Sequence, residues 1–192
     1  MIKNREGWLT NAVHMMDGTI FKDSDTSSKF RISCSWPGGK GRKKTTVGQC
    51  WGSKSSAGGI VEMFISPVLA DPVKVLDVVV HENVHRIVGI KCGHRGAFKR
   101  LAESIGLTGK MTSTIAGPEL EQKLREMSIL LGPYQHDVLR DKETITKKQG
   151  TRMLKFACPS CPNIARQSRE AAKIGLVCAG CMEPLEFNDD NS

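Results

Sequence analysis

An α+β fold in two parts is the expectation, and three features of the sequence carry it. Three short runs rich in β-branched and aromatic residues, FRISCSW, VGQCW and GIVEMFIS, lie in the first part of the chain. Stretches with apolar residues at helical spacing surround them, several opened or closed by glycine or proline. Two C-x-x-C pairs stand close together near the carboxy terminus. A small antiparallel sheet packed with helices, followed by a cysteine-held module, accounts for all three.

Residues 5 to 22 read as a first helix, with Trp8, Ala12, Met15, Met16 and Phe21 on a stripe interrupted by Gly18. His14 has no partner at ligand spacing and reads as structural. The polar run from Asp23 to Ser28 reads as a loop. The strand-like runs Phe30 to Trp36, Val47 to Trp51 and Gly59 to Ser66 then supply the sheet. Cys34 and Cys50 fall inside them, where a lone cysteine is usually a small buried hydrophobe. PGGKGRKKTT, between the first two runs, reads as a glycine-rich hairpin whose Lys40, Arg42, Lys43 and Lys44 make either a solvated basic loop or contacts with a nucleic-acid backbone. It lacks the G-x-x-x-x-G-K-[ST] spacing of a phosphate-binding loop, which excludes that class of nucleotide triphosphatase.

Asp71-Pro72 opens the central helix, as N-cap and first helical residue. Val73, Leu76, Val80, Val84 and Ile87 form its apolar stripe, and Gly89 ends it. The run Val78-Val79-Val80 would also suit a strand, but the cap, the stripe and the histidine spacing decide for helix. A further helix runs from Gly96 to Gly106 through Phe98, Leu101, Ala102 and Ile105. Gly117-Pro118 announces the next, with Leu120, Leu124, Met127 and Leu131 before Gly132-Pro133 breaks it. Residues 139–150 read as a basic linker between a domain at 1–138 and a second at 151–192.

The net charge of +8 and the pI near 9.2 point to a polyanionic partner, nucleic acid above all. MIKNREGWLT holds no apolar run of signal-peptide type, and no segment reaches the ~18 apolar residues of a membrane span. A cytoplasmic protein is therefore expected, with no membrane partner. Seven cysteines, an odd number, then read as reduced thiols and metal ligands, not as a disulfide framework.

The chemistry concentrates in His81-Glu82-Asn83-Val84-His85 on the central helix. Histidines at i and i+4 share a face and can grip one metal ion, with Glu82 between them placed as a base toward water on that ion. A hydrolytic zinc site needs a third protein ligand and one open position. His94 is the first candidate, because Gly89 and Gly93 let the chain turn back and imidazole suits zinc. Glu103 on the following helix is the second and Cys92 the third. Metzincin spacing would put the ligand at Lys91, which excludes that class. Tyr134 and His136, in the loop GPYQHD, are candidates for oxyanion donors.

Cys158-x-x-Cys161 and Cys178-x-x-Cys181, sixteen residues apart, have the spacing of a four-cysteine zinc site. Four thiolates close the coordination sphere, so this second zinc is expected to hold a ribbon fold and do no hydrolysis. Arg166, Arg169 and Lys173 between the pairs are further candidates for phosphate contact.

His81-Glu82-x-x-His85 followed by Gly93-His94-x-x-x-Phe98, with a carboxy-terminal zinc ribbon, resembles the SprT-like, Spartan-related metallopeptidases. SAGGIVEMFISP, LADPVKVLDVVVHE and GKMTSTIAGPEL resemble a phage-encoded branch of that family, for which the location would be the host cytoplasm. Arg95 follows His94 where SprT-like sequences commonly carry glycine. The resemblance implies a zincin-like domain at 1–138 in which His81, His85 and His94 hold a catalytic zinc. Glu82 would be the general base that deprotonates the attacking water and later protonates the leaving amine. It also implies peptide-bond hydrolysis on a protein substrate, brought to DNA or to DNA-bound proteins, with one catalytic and one structural zinc. The alternative from charge and ribbon alone is a non-catalytic DNA-binding or transcription-associated zinc protein.

Overall fold

Asn4 opens the first helix, α1 (Arg5–Thr19), by accepting the Gly7 N–H on its side chain at 2.7 Å. Trp8, Leu9, Ala12, Val13 and Met16 form its buried face, and Gly18 stays within the helix. The computed structural model describes residues 4–36, 46–140 and 153–187. The chain divides into two units, Met1–Arg140 and Asp141–Ser192. Residues 141–150 of the expected linker lie outside the described residues, as do Lys40, Arg42, Lys43 and Lys44.

Three strands follow α1: β1 (Phe30–Cys34), β2 (Gly48–Trp51) and β3 (Val61–Ile65). The sheet is mixed where an antiparallel one was expected. Its order is β1-β3-β2, with β1 parallel and β2 antiparallel to the central β3. Burial explains the order. Ile32 and Cys34 of β1 and Val61, Met63 and Ile65 of β3 are all buried, so these two strands carry the apolar face. Gly48 and Gln49 make β2 a weak strand, and it takes an edge. β1 and β2 are not neighbours in the sheet, and the glycine-rich segment expected to form a hairpin between them lies outside the described residues at 37–45.

The next helix, α2 (Pro72–Val88), starts where Asp71 accepts the Lys74 N–H at 2.8 Å and ends at Gly89, whose φ of 79° suits glycine. Leu76, Val80 and Val84 of the expected stripe are buried, but so is a second row, Val75, Val79, Asn83 and Arg86. Arg86 is satisfied inside the protein. It ion-pairs with Asp17 of α1, donates to Asn83 Oδ1 at 2.6 Å and to the Thr26 and Ser28 carbonyls at 3.0 and 3.1 Å, and lies over the Phe30 ring. The polar segment 23–28 is thereby tied to the middle of the unit.

After α3 (Ala97–Ser104) comes a hairpin that sequence reading missed, β4 (Leu107–Lys110) and β5 (Ser113–Ala116). The last helix of the unit, α4 (Pro118–Leu131), buries Leu120, Leu124, Met127 and Leu131 in the core that α1 and α2 share. The second unit holds β6 (Met153–Ala157), β7 (Ile164–Ser168), the short α5 (Arg169–Ala172) and β8 (Glu186–Phe187), in the antiparallel order β7-β6-β8. Phe156, Cys158 and Cys178 are its buried side chains among the described residues. Among the described residues no helix is long and apolar enough to cross a membrane.

Candidate metal centres

Helix α2 sets His81 and His85 one turn apart on one face, and the loop after it brings His94 to them. That loop turns through Gly89, Gly93 and Gly96, all at positive φ, where a Cβ would be strained. His94 Nε2 stands 3.1 Å from His81 Nε2 and 3.2 Å from His85 Nε2. Hydrogen bonding cannot serve all three nitrogens well, because a single N–H on His94 reaches only one lone pair. One cation can. Two nitrogens bound tetrahedrally to one zinc at about 2.0–2.1 Å stand about 3.3 Å apart, close to the spacings here. The three residues therefore fit a metal ion such as zinc. Glu103 instead lies 3.7 Å from Lys99 on α3, and the Cys92 thiol faces the Gly89 carbonyl at 3.5 Å, so neither joins the cluster.

The imidazoles are held from behind. Phe98, fully buried, packs against all three rings, with centroids 5.0, 4.3 and 4.9 Å from His81, His85 and His94. His81 Nδ1 lies 2.8 Å from Thr114 Oγ1 on β5. If Nε2 offers its lone pair to a metal, Nδ1 carries the proton and donates it to Thr114, which fixes tautomer and ring angle. Thr114 is a site residue that sequence reading missed. The β-branched run around it was its one signal.

Burial favours the uncharged form of every ionisable group here. It pushes His81 down to about 4 and His85 to about 3, with neighbouring imidazoles adding to the effect, and it lowers His94 as well. Neutral imidazole is the form that binds metal. Glu82 is buried to 5% exposure, and desolvation lifts its carboxyl to about 8. These groups line a cleft of about 770 Å³, bounded by 46–50 on one side and by Lys110 and 112–114 on the other. Asp77, one turn before His81, also lines it, and burial raises its carboxyl to about 6. Beside His94 a shallower hollow of about 450 Å³ carries Lys91, Arg95 and Lys110.

In the second unit Cys158, Cys161, Cys178 and Cys181 bring their sulfurs within 4.8 Å of one another. Cys161 and Cys178 stand 3.6 Å apart, near the roughly 3.8 Å of two thiolates on one tetrahedral zinc. Asn163 Nδ2 donates to the Cys178 sulfur at 3.3 Å and draws that thiol down to about 6, while the neighbouring thiols, Cys161 first, push Cys181 up to about 12. Crowded sulfurs that cannot all ionise alone are the donor set a divalent cation resolves.

The remaining candidates fall elsewhere. Tyr134 is buried against Trp8 with ring centroids 4.8 Å apart, and His136 Nε2 donates to the Pro67 carbonyl at 2.8 Å. Neither lines the cleft, so the oxyanion expectation for both is corrected: the chain after α4 folds back as packing. Arg166 is exposed on β7, Lys173 pairs with Glu170 at 2.8 Å, and the Arg169 side chain lies outside the described residues. No protein-family model, no curated protein and no solved structure matches the chain.

Proposed function

We propose that the chain is a zinc-dependent endopeptidase with His81, His85 and His94 as ligands of the catalytic ion, and that its four-cysteine unit holds a structural zinc. The observation that carries this reading is the convergence of three Nε2 atoms at 3.1 and 3.2 Å beside a buried glutamate on the wall of an open cleft. A zinc held by three imidazoles lowers the pKa of water to about 7 and polarises a carbonyl as a Lewis acid. Everything else falls to the chain. Thr114 holds the His81 ring in its ligand tautomer. Glu82, whose burial raises its affinity for a proton, takes one from the attacking water and passes it to the leaving amine nitrogen. Among the described residues β2 is an edge strand and lines the cleft, where an extended substrate segment can lie along it. The net charge of +8 supports recruitment to DNA or to proteins on it.

The closed four-cysteine set and the same charge also favour a second reading, a DNA-binding zinc protein without hydrolysis. Glu82→Gln separates the two. With a protein bound to single- or double-stranded DNA as substrate, cleavage by the variant is expected to fall about 10²-fold to 10⁴-fold while metal content stays unchanged. Equal cleavage by variant and wild type, or none by either, rejects the peptidase.

A further inference from the structure

Gly48 opens the edge strand β2, where glycine is a weak strand former and calls for a reason. Backbone conformation is not the reason. Gly48 is not among the residues at positive φ, so an alanine could take the same backbone at position 48. The reason lies across the gap to α2. A Cβ on Gly48 would stand 2.5 Å from Glu82 Oε1, 2.5 Å from Val78 Cγ1 and 3.0 Å from Glu82 Cγ. Cys50, two residues on and so on the same face of β2, lines the same cleft. The backbone of β2 is thus laid directly against the carboxylate, as a wall of the cleft that Glu82 also lines.

From this close approach we infer that Gly48 is a positioning residue for Glu82: the missing side chain lets the β2 backbone act as the wall that fixes the carboxylate toward the cleft. This inference rests on the peptidase reading for its consequence, but its geometry stands without it. A methyl group at 48 must be relieved by a shift of roughly 0.9 Å to reach ordinary contact, and a misplacement of about 1 Å in a reacting group is worth about 10²-fold in rate.

The experiment compares wild type with Gly48→Ala, Val78→Ala and the double variant, using labelled casein for turnover. Binding of acetohydroxamate to the cobalt-loaded protein, read from its visible spectrum, reports how the metal site and Glu82 act together without turnover, and Glu82→Gln sets the scale. Val78→Ala opens room for the methyl group on one side yet leaves the clash with Glu82. Gly48→Ala and the double variant are therefore both expected to lose kcat about 10²-fold with KM within about twofold. Hydroxamate affinity should fall toward that of Glu82→Gln with metal content retained, while Val78→Ala alone stays near wild type. Recovery of rate and affinity in the double variant would mean that the loss came from misdocking of the strand, and would overturn the assignment. So would wild-type values in Gly48→Ala, or loss of the fold in both variants carrying alanine at 48. If only the double variant folds, its hydroxamate affinity decides. Should wild type cleave no casein with or without DNA, the peptidase reading suffers and the hydroxamate arm still decides the role of Gly48.

Discussion

The two candidate metal centres are built in opposite ways. The three histidines hang on a unit with its own core, which runs from Trp8 and Leu9 on α1 through Val79 and Val80 on α2 to Leu124 on α4. The four cysteines are much of the interior of theirs, since two of the three buried side chains described there are Cys158 and Cys178. In the first unit the fold makes the site. In the second the site supplies much of what is buried, the arrangement found in small domains whose apolar area cannot offset chain entropy.

The sharpest way to break this contrast is to take the metal away. Cys178→Ser, or exhaustive chelation, is expected to unfold residues 153–187 outright, because structural zinc supplies about 10–16 kcal/mol of apparent binding energy in such modules. Limited proteolysis should then cut the second unit and spare the first, whose state the fluorescence of Trp8, Trp36 and Trp51 reports. If the second unit resists protease without metal, the contrast fails. The reverse experiment strikes the first unit at a residue that follows His85 in the chain but does not line the cleft. Arg86→Met leaves Asp17 without its ion-pair partner, with only the Asn83 amide still donating to it, and should cost about 3–5 kcal/mol in urea unfolding, with the cysteine unit untouched.

Acidity sharpens the contrast further. In the metal-free first unit His81 and His85 are depressed to about 4 and about 3, so their contribution is complete above pH 6.5 and is lost as pH falls through those values. Glu82, raised to about 8, runs the other way: its contribution is complete below pH 4.5 and is lost as pH rises through 8. Below pH 6.5 the histidines, His94 with them, are opposed by Glu82 and by Asp77, raised to about 6, and the two sides largely offset; above 6.5 Glu82 acts alone, so stability should decline from pH 6.5 to 8 by on the order of 2 kcal/mol. A melting temperature that climbs steadily from pH 5 to pH 8 would contradict this. The smallest effect is expected from Thr114→Val, which frees the His81 ring and should weaken metal affinity at the histidine site about tenfold in a chelator competition, leaving the cysteine site unchanged.

What the sequence made legible was whatever depends on near neighbours. The helix ends at Asp71, Gly89 and Gly117-Pro118 are written in caps and breakers, and the ligand spacings lie within a turn or a short loop. What it hid depends on residues far apart along the chain. The parallel pairing of β1 with β3 joins segments about thirty residues apart, and nothing local distinguishes it from a hairpin. Asn83 and Arg86, polar residues off the apolar stripe of α2, are buried only because Asp17 and the Thr26 and Ser28 carbonyls come round to satisfy them. The β4–β5 hairpin was invisible because much of it is exposed and polar, without an alternating apolar face. Tyr134 and His136 looked available for chemistry because a histidine beside an aromatic in a loop carries no mark of being packed.

The three glycines that deliver His94 have a consequence for descent. Gly89, Gly93 and Gly96 lie outside the buried core, and a Cβ at any of them would meet open space. What a substitution there disturbs is the path of the loop. A single codon change can thus displace His94 while the protein persists as a folded, charged relative of itself. Lineages of such chains should lose the three-histidine cluster at these three positions sooner than they lose structure, leaving descendants that still display His81 and His85 in good order.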